Sequence, residues 1–387
     1  MNSPSRSDLF SLSNLYRRGL LCIAFSWGAP VAGLADDRLE RTSEDSIVGA
    51  VARETPIMIA YVENDLFAGT DRHYTNGFKL TWMSPDMTDW TQDGWRRQFI
   101  DALPFLHRGE AVRNLGITVG QQMYTPRDVE RPDPDPNDRP YAGWTHLGFS
   151  FLTKNDFRAD TVMLQIGIVG PASLAEETQK LVHEITDSID PQGWDYQLSN
   201  EPGINLGWER KWRWYARTIS DDDRSPQRFR PFVDKRDQMR AYWGVDVIPH
   251  VGALVGNVAT YANTGFTARA GYNLPSDFGV NLIRPASVTS APLDDLDPRV
   301  RGAGFSFYLF AGADGRAVAR DIFLDGNTFT DSRSVDRDPW VADFSAGFGL
   351  VLADFQLTYS HVVRTREFET QQSSTSEFGS VTASWSF

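Results

Sequence analysis

Between residues 204 and 214 the side chains change character at every step. Ile204, Leu206, Trp208, Arg210, Trp212 and Trp214 fall on one side, Asn205, Gly207, Glu209, Lys211 and Arg213 on the other. A β-strand sends successive side chains to opposite faces, so this segment makes a strand with one aromatic face and one charged face. A strand of a soluble sandwich rarely keeps that contrast over such a length. The same period of two runs through Phe78, Leu80 and Trp82, through Leu115, Ile117 and Val119, and through Val162, Leu164, Ile166 and Ile168. It returns in Phe305, Phe307 and Leu309, in Phe344, Ala346 and Phe348, in Phe355, Leu357 and Tyr359, and in Gly379, Val381, Ala383, Trp385 and Phe387.

These runs predict strands near 56–63, 76–84, 113–121, 144–153, 159–169, 203–217, 240–254, 258–272, 302–324, 339–351, 354–367 and 376–387. Asp314-Gly315 reads as an irregularity inside one long strand, because splitting it would give an odd count and single-chain bacterial barrels are even-numbered. The fold class expected is therefore all-β, a transmembrane antiparallel barrel of about twelve strands whose last strand ends on an aromatic residue. A mean hydropathy of −0.38 excludes a helical membrane bundle but not a barrel, whose strands are apolar on one face only. Thirty-eight basic against 51 acidic side chains, a net charge of −13, argue against a nucleic-acid binder, which needs a basic face.

The start of the chain reads as an export signal. Residues 1–35 carry a positive stretch ending at Arg17-Arg18, an apolar run from Gly19 to Trp27, and small residues near Ala35. The single cysteine, Cys22, lies inside it, so the remaining chain needs no disulfide machinery. Residues 36–55 are acidic and aperiodic and read as a periplasmic linker, leaving 56–387 as one barrel domain.

Antiparallel parity brings the connections after the first, third and fifth strands, 64–75, 122–143 and 170–202, to one end of the barrel. With a periplasmic amino terminus that end faces outward. Ser173 followed by Glu176 has the spacing of a capping box, which predicts a short helix over about 174–187. Gln179 and His183 lie four apart and share a face of it. A histidine there can act as a general base, since imidazole titrates near working pH. Locally, Asn64-Asp65 is first of all a turn signal, and Thr75 can be an ordinary strand residue. His107, His146, His250 and His361 have no evident partner, and Asp221-Asp222-Asp223 lacks the glycine and glutamate of a calcium-binding loop.

As an ordered set, ENDLF, TDRHYTNG, QQMYTP, DRPYAGW, GPAS, QKLVH and GWDYQL resemble the outer-membrane lipid A 3′-O-deacylase family, calcium-dependent esterases of lipopolysaccharide. The resemblance runs from about residue 57 to Phe387 and implies a twelve-stranded barrel with its active site between the wall and a helix of an outer loop. It implies that Asn64 and Asp65 match the family's Asn-Asp pair, where they would hold Ca2+, that Thr75 matches its hydroxyl residue, and that His183 matches its base. Gln179, on the same helix face, joins the candidate catalytic set. Two departures stand out. A lysine of the second outer loop has no counterpart, so Arg127 or Arg131 would have to serve, and the acid six positions after the histidine falls on Ile189. The reaction implied is attack by a histidine-activated water on the 3′-linked acyl ester of lipid A, with a cation stabilising the oxyanion. Arg72, Arg127, Arg131 and Arg139 are the candidates for lipid A phosphates, by location alone. The expected enzyme is outer-membrane, reaches its substrate laterally and can work as a monomer. The main rival is a non-enzymatic porin. A serine phospholipase is a lesser rival, because Ser360-His361 lacks the serine two positions after the histidine.

Overall fold

The computed structural model describes residues 55–65, 73–91, 94–103, 106, 111–186, 188–219, 243–279, 282–283, 292, 297–299 and 304–387. The expected export signal, nearly all of the linker, Arg72, His107, Asp187 and Asp221-Asp222-Asp223 lie outside the described residues.

The alternating runs pair into one antiparallel sheet. Its strands are β1 (Ile57–Asn64), β2 (His73–Met83), β3 (Val112–Thr125), β4 (Ala142–Lys154), β5 (Arg158–Val169), β6 (Glu201–Trp212) and β7 (Tyr215–Ile219). It continues with β8 (Trp243–Gly256), β9 (Ala259–Tyr272), β10 (Phe305–Asp321), β11 (Trp340–Leu352), β12 (Phe355–Thr365) and β13 (Thr375–Ser386). β1 pairs with β13, which closes the sheet. Both β6 and β7 pair with β8, so they are two lengths of one stave interrupted at Arg213-Trp214, and the closed barrel has twelve staves. Closure satisfies every strand edge, the condition a sheet must meet to cross a bilayer.

β10 is a single 17-residue strand, as parity requires. The irregularity expected at Asp314-Gly315 is not there: these residues pair in regular register with Gly265 and Thr264, and the bulge sits higher, between Val318 and Arg320.

The two faces separate as the alternation demands. Phe78, Leu80, Ile117, Val119, Leu147, Phe149, Ile204, Leu206, Phe305 and Leu309 are exposed on the outside and form the apolar band that faces lipid. Inward, charged side chains pair across the lumen. Arg269 pairs with Asp246 at 2.6 Å and with Asp277, and Arg299 pairs with Asp297 at 2.7 Å. Asp277, Phe278, Ile283, Asp297 and Arg299 belong to the connection after β9 and are buried, so this connection folds back into the barrel. It climbs far: the Ile283 amide donates to Glu63 Oε1 at 2.6 Å, one residue from the outer end of β1. Three histidines without an evident partner in the sequence have one in space. His146 Nε2 meets Gln165 Nε2 at 2.9 Å, His250 pairs with Asp314 at 2.7 Å, and His361 lies 3.3 Å from Glu377.

Among the described residues, two longer helices lie in connections. α1 (Gly94–Ala102) follows β2 at the inner end, and α2 (Ala175–Thr186) follows β5 at the outer end. A short α3 (Ile322–Asp325) caps β10, with Asp321 Oδ1 accepting from the Phe323 amide at 3.0 Å.

Candidate active site

The register of the first four strands locates the site relative to the wall. On β3 and β4, Val119 pairs with Leu147, and both are exposed on the lipid side. One step higher on that face Gln121 pairs with Thr145, and one step higher again Met123 pairs with Gly143. Met123 pairs in turn with Asn76, and Asn76 with Asn64. Asn64, Asn76, Met123 and Gly143 therefore form one row across four strands, on the outer face and just above the apolar band.

α2 is clamped over this row. The chain leaves β5 through Gly170, at φ 93, where a side chain would meet the Ser199 backbone, and turns through Pro171–Ser173. The Ser173 carbonyl then accepts from Gln121 Nε2 at 2.8 Å and from Thr145 Oγ1 at 2.7 Å. Both donors stand on the lipid-facing side, so the helix begins outside the wall and not over the lumen. Gly143 makes that approach possible, because a Cβ there would overlap both Ser173 and Ala175. The capping box is not formed: Ser173 belongs to the turn before the helix, its hydroxyl has no hydrogen-bond partner, and Leu174 at φ 57 intervenes. Glu176 and Glu177 instead place their charge in the helix's first turn, where the dipole favours it.

Gln179 and His183 are buried on the face of α2 that meets the wall. His183 Nδ1 lies 2.5 Å from the Ile189 carbonyl oxygen. A carbonyl only accepts, so in the neutral ring Nδ1 carries the proton and Nε2 the lone pair, the tautomer a general base needs. This accounts for the departure at Ile189. The position lacks a carboxylate, but its backbone oxygen is the atom that meets Nδ1. Gln179 Oε1 accepts from Trp194 Nε1 at 2.7 Å, which turns the amide so that Nε2 is the free end, and that nitrogen is buried without a hydrogen-bond partner.

Trp194 is the residue that local reasoning undervalued. It is buried, packs on Tyr141 with ring centroids 5.0 Å apart, and joins Met123 and Ala175 in one apolar cluster under the helix. Gly193 lets the two rings meet, since a Cβ there would stand 2.5 Å from Tyr141 Cε2. The Gln192 amide donates to Val129 O at 2.8 Å, tying the segment after α2 to the loop after β3. The sequence signal was the GWDY run itself, whose purpose is invisible without its partners.

Asn64 ends β1 and Asp65 begins the turn after it; both are buried. Thr75 lies on β2 at a bulge: Tyr74 pairs with Tyr124 and Asn76 with Met123, leaving Thr75 as the extra residue. Bulges are frequent beside active sites. The row thus brings the Asn64 strand end, the Thr75 bulge and the buried face of α2 to one level of the outer wall. Among the described residues no group of three or more His, Cys, Asp or Glu side chains assembles into a metal cluster. Asn64 and Asp65 offer amide and carboxylate oxygens, the hard donors that Ca2+ takes, and a site built on them needs backbone, water or substrate oxygens as well.

The arginines divide. Arg127 and Arg131 are exposed in the outer loop, with Arg127 Nη1 donating to Gln372 Oε1. Arg139 is fully buried: it pairs with Glu367 at 3.2 Å and lies over the Tyr124 ring at 4.7 Å. Tyr124 stacks on Phe323 in the core cluster at the outer end of the lumen. A guanidinium enclosed there is not placed to meet lipid phosphates, so the expectation for Arg139 is corrected; Asp138 is braced instead by the Arg127 and Arg139 backbone amides, both at 2.8 Å.

Comparison with known proteins bears on this arrangement. The family described as "Outer membrane protein LpxR" matches residues 20–387. Among solved structures, LpxR from Salmonella typhimurium superposes with a TM-score of 0.61 at 19% identity, covering 86% of this chain and 100% of that one. The β domain of the Bordetella autotransporter BrkA follows with a TM-score of 0.37 at 10% identity, over 88% of this chain and 100% of that one. No curated protein sequence matches the chain.

Proposed function

The chain belongs to the outer membrane protein LpxR family, and from that premise we propose that it is an outer-membrane esterase that removes the 3′-linked acyl or acyloxyacyl group from lipid A. The observation that carries the reading is His183, buried between α2 and the lipid-facing wall with Nδ1 held by the Ile189 carbonyl. His183 Nε2 would take a proton from water as that water attacks the ester carbon, and would return it to the departing sugar oxygen. Gln179 Nε2, turned away from Trp194, is a donor for the carbonyl oxygen as it gains charge. Asn64 and Asp65 would hold Ca2+, which when bound supplies Lewis-acid stabilisation of the same oxygen. The wall and α2 exclude bulk water from the reacting group, which strengthens these interactions. No Gly-x-Ser-x-Gly elbow is present, consistent with direct attack by water.

The Arg269–Asp246–Asp277 pairs and the returning connection after β9 narrow the lumen, which favours the esterase over the rival porin. The deciding experiment is mass spectrometry of lipid A from cells expressing the wild-type chain or His183→Ala, with and without added calcium. Loss of a 3′ acyl mass that needs both the histidine and calcium is expected. Unchanged lipid A around a correctly inserted wild-type barrel would overturn the assignment.

A further inference from the structure

The helix that holds His183 has a second face, which the reaction does not use. Leu181 and Ile185, four residues apart on α2, are each 56% exposed and lie opposite Gln179 and His183. Leu174 just before the helix and Ile189 just after it extend the stripe at 58% and 56% exposure. Two large aliphatic side chains on the outer face of a short helix, with one more beyond each end, are not what a helix surrounded by water presents.

Their place in the fold identifies what covers them. The Ser173 carbonyl rests on Gln121 and Thr145, and the next outward pair down the same two strands is Val119 and Leu147, the top of the apolar band. Two residues along a strand span about 7 Å, so the helix starts about that far above the top of the apolar band. Lying outside the wall, it turns its stripe in the same outward direction as that band. The stripe therefore continues an apolar surface that already faces lipid.

We infer that Leu174, Leu181, Ile185 and Ile189 form a lipid-immersed rail, with the occupant being the acyl chains of the outer leaflet. α2 is then an interfacial amphipathic helix, with charged Lys180 and Glu176 paired at 2.6 Å on its flank and its apolar side in the acyl boundary. The rail sets the depth of the site: His183 is carried at the level where acyl chains join the polar head, which is where an ester of a membrane lipid lies. Ile189 serves both sides, its side chain in the rail and its carbonyl on His183. The inference deepens the function proposed above and depends on it only for which acyl chains are drawn in.

Site-directed spin labelling tests it without any appeal to catalysis. The one cysteine, Cys22, is replaced by serine, and single nitroxides are placed at Leu181→Cys, Ile185→Cys and, as a reference, Lys180→Cys, whose side chain is 51% exposed. The folded barrels are reconstituted in vesicles of phosphatidylethanolamine and phosphatidylglycerol, with folding checked by heat-modifiable gel mobility. The ratio of oxygen to nickel-chelate accessibility is expected to be several-fold higher at 181 and 185 than at 180. Equal ratios at all three sites would show a helix in water and overturn the rail. Immobilised, dipolar-broadened spectra at 181 and 185 would show a second copy of the chain on the stripe and overturn the lipid assignment. Failure of lipid A processing together with a high oxygen ratio would instead count against the esterase alone.

Discussion

Gly143→Ala is the smallest change that should disable the site without touching any reacting group. A Cβ built on Gly143 stands 2.3 Å from Ala175 Cβ, whereas ordinary contact begins at 3.4 Å. The Ser173 hydroxyl can rotate aside, but Ala175 is the first residue of α2 and moves only with the helix. The helix must retreat by about 1.1 Å, because β4 is fixed between β3 and β5 and close-packed elements do not absorb such an overlap. A misplacement of about 1 Å can cost about 100-fold in rate, or about 2.7 kcal/mol of transition-state stabilisation. Overpacking adds a stability loss of about 1–3 kcal/mol. The assay is the initial rate of ester release in mixed micelles, beside a thermal melt followed by gel mobility. Gly315→Ala, where the nearest atom to a new Cβ is 3.9 Å away, should leave both unchanged. Ala175→Gly combined with Gly143→Ala should recover most of the lost rate. A well-folded Gly143→Ala protein turning over within twofold of wild type would refute the claim that the spacing of α2 from the wall sets the rate.

Other perturbations read other parts of the molecule. Trp194→Phe leaves Gln179 Oε1 buried without its donor, and about a tenfold fall in kcat with little change in KM is expected, along with a stability loss of about 1–3 kcal/mol. Arg139→Met should act on stability and not on phosphate recognition: breaking a buried pair costs about 3 kcal/mol, read as a lower melting temperature with KM for lipid A unchanged. Burial pushes the Glu367 carboxyl up, but Arg364 and Arg139 outweigh it and hold the group below the usual carboxylate range. Its stabilising contribution is therefore complete above about pH 4.3 and is lost as pH falls through the lowered value, so the melting temperature should hold down to that range and then drop, less steeply in Arg139→Met. In planar bilayers the wild-type barrel should show no steady conductance, whereas Arg269→Ala, which removes the guanidinium shared by Asp246 and Asp277, should bring frequent openings.

The barrel was legible in the sequence because its determinant is local and repeated. Every strand facing lipid must alternate, so Ile204 to Trp214 declares its own geometry, and parity then sorts the loops. The candidate residues of the outer loops became legible only as an ordered set of motifs. What stayed hidden depends on partners distant in the chain. Arg139 has the composition of a solvated loop residue, and only Glu367, 228 positions later, makes it a buried ion-pair member. The connection after β9 has no periodicity to betray that it returns into the lumen as far as Glu63. Ile189 looked like a missing acid because sequence records side chains, and here the atom that meets His183 Nδ1 belongs to the backbone. The stave broken at Arg213-Trp214 read as one strand because the alternation runs unbroken from Ile204 to Trp214; the register with β8 then slips by one, Lys211 pairing with His250 but Tyr215 with Val247, where the main chain of Arg213 bonds to Phe157 and that of Trp214 to Val247.

In the function proposed, the site would open sideways, on the lipid side of the wall, and this would change the terms of encounter. An enzyme lodged in a leaflet built of its own substrate searches in two dimensions, at a surface density fixed by the membrane, so it is never short of material. Tighter ground-state binding then gains nothing, because affinity no longer limits flux once substrate is saturating. What such an enzyme has to evolve is restraint: control over when a productive lipid reaches His183, since nothing about supply will hold it back.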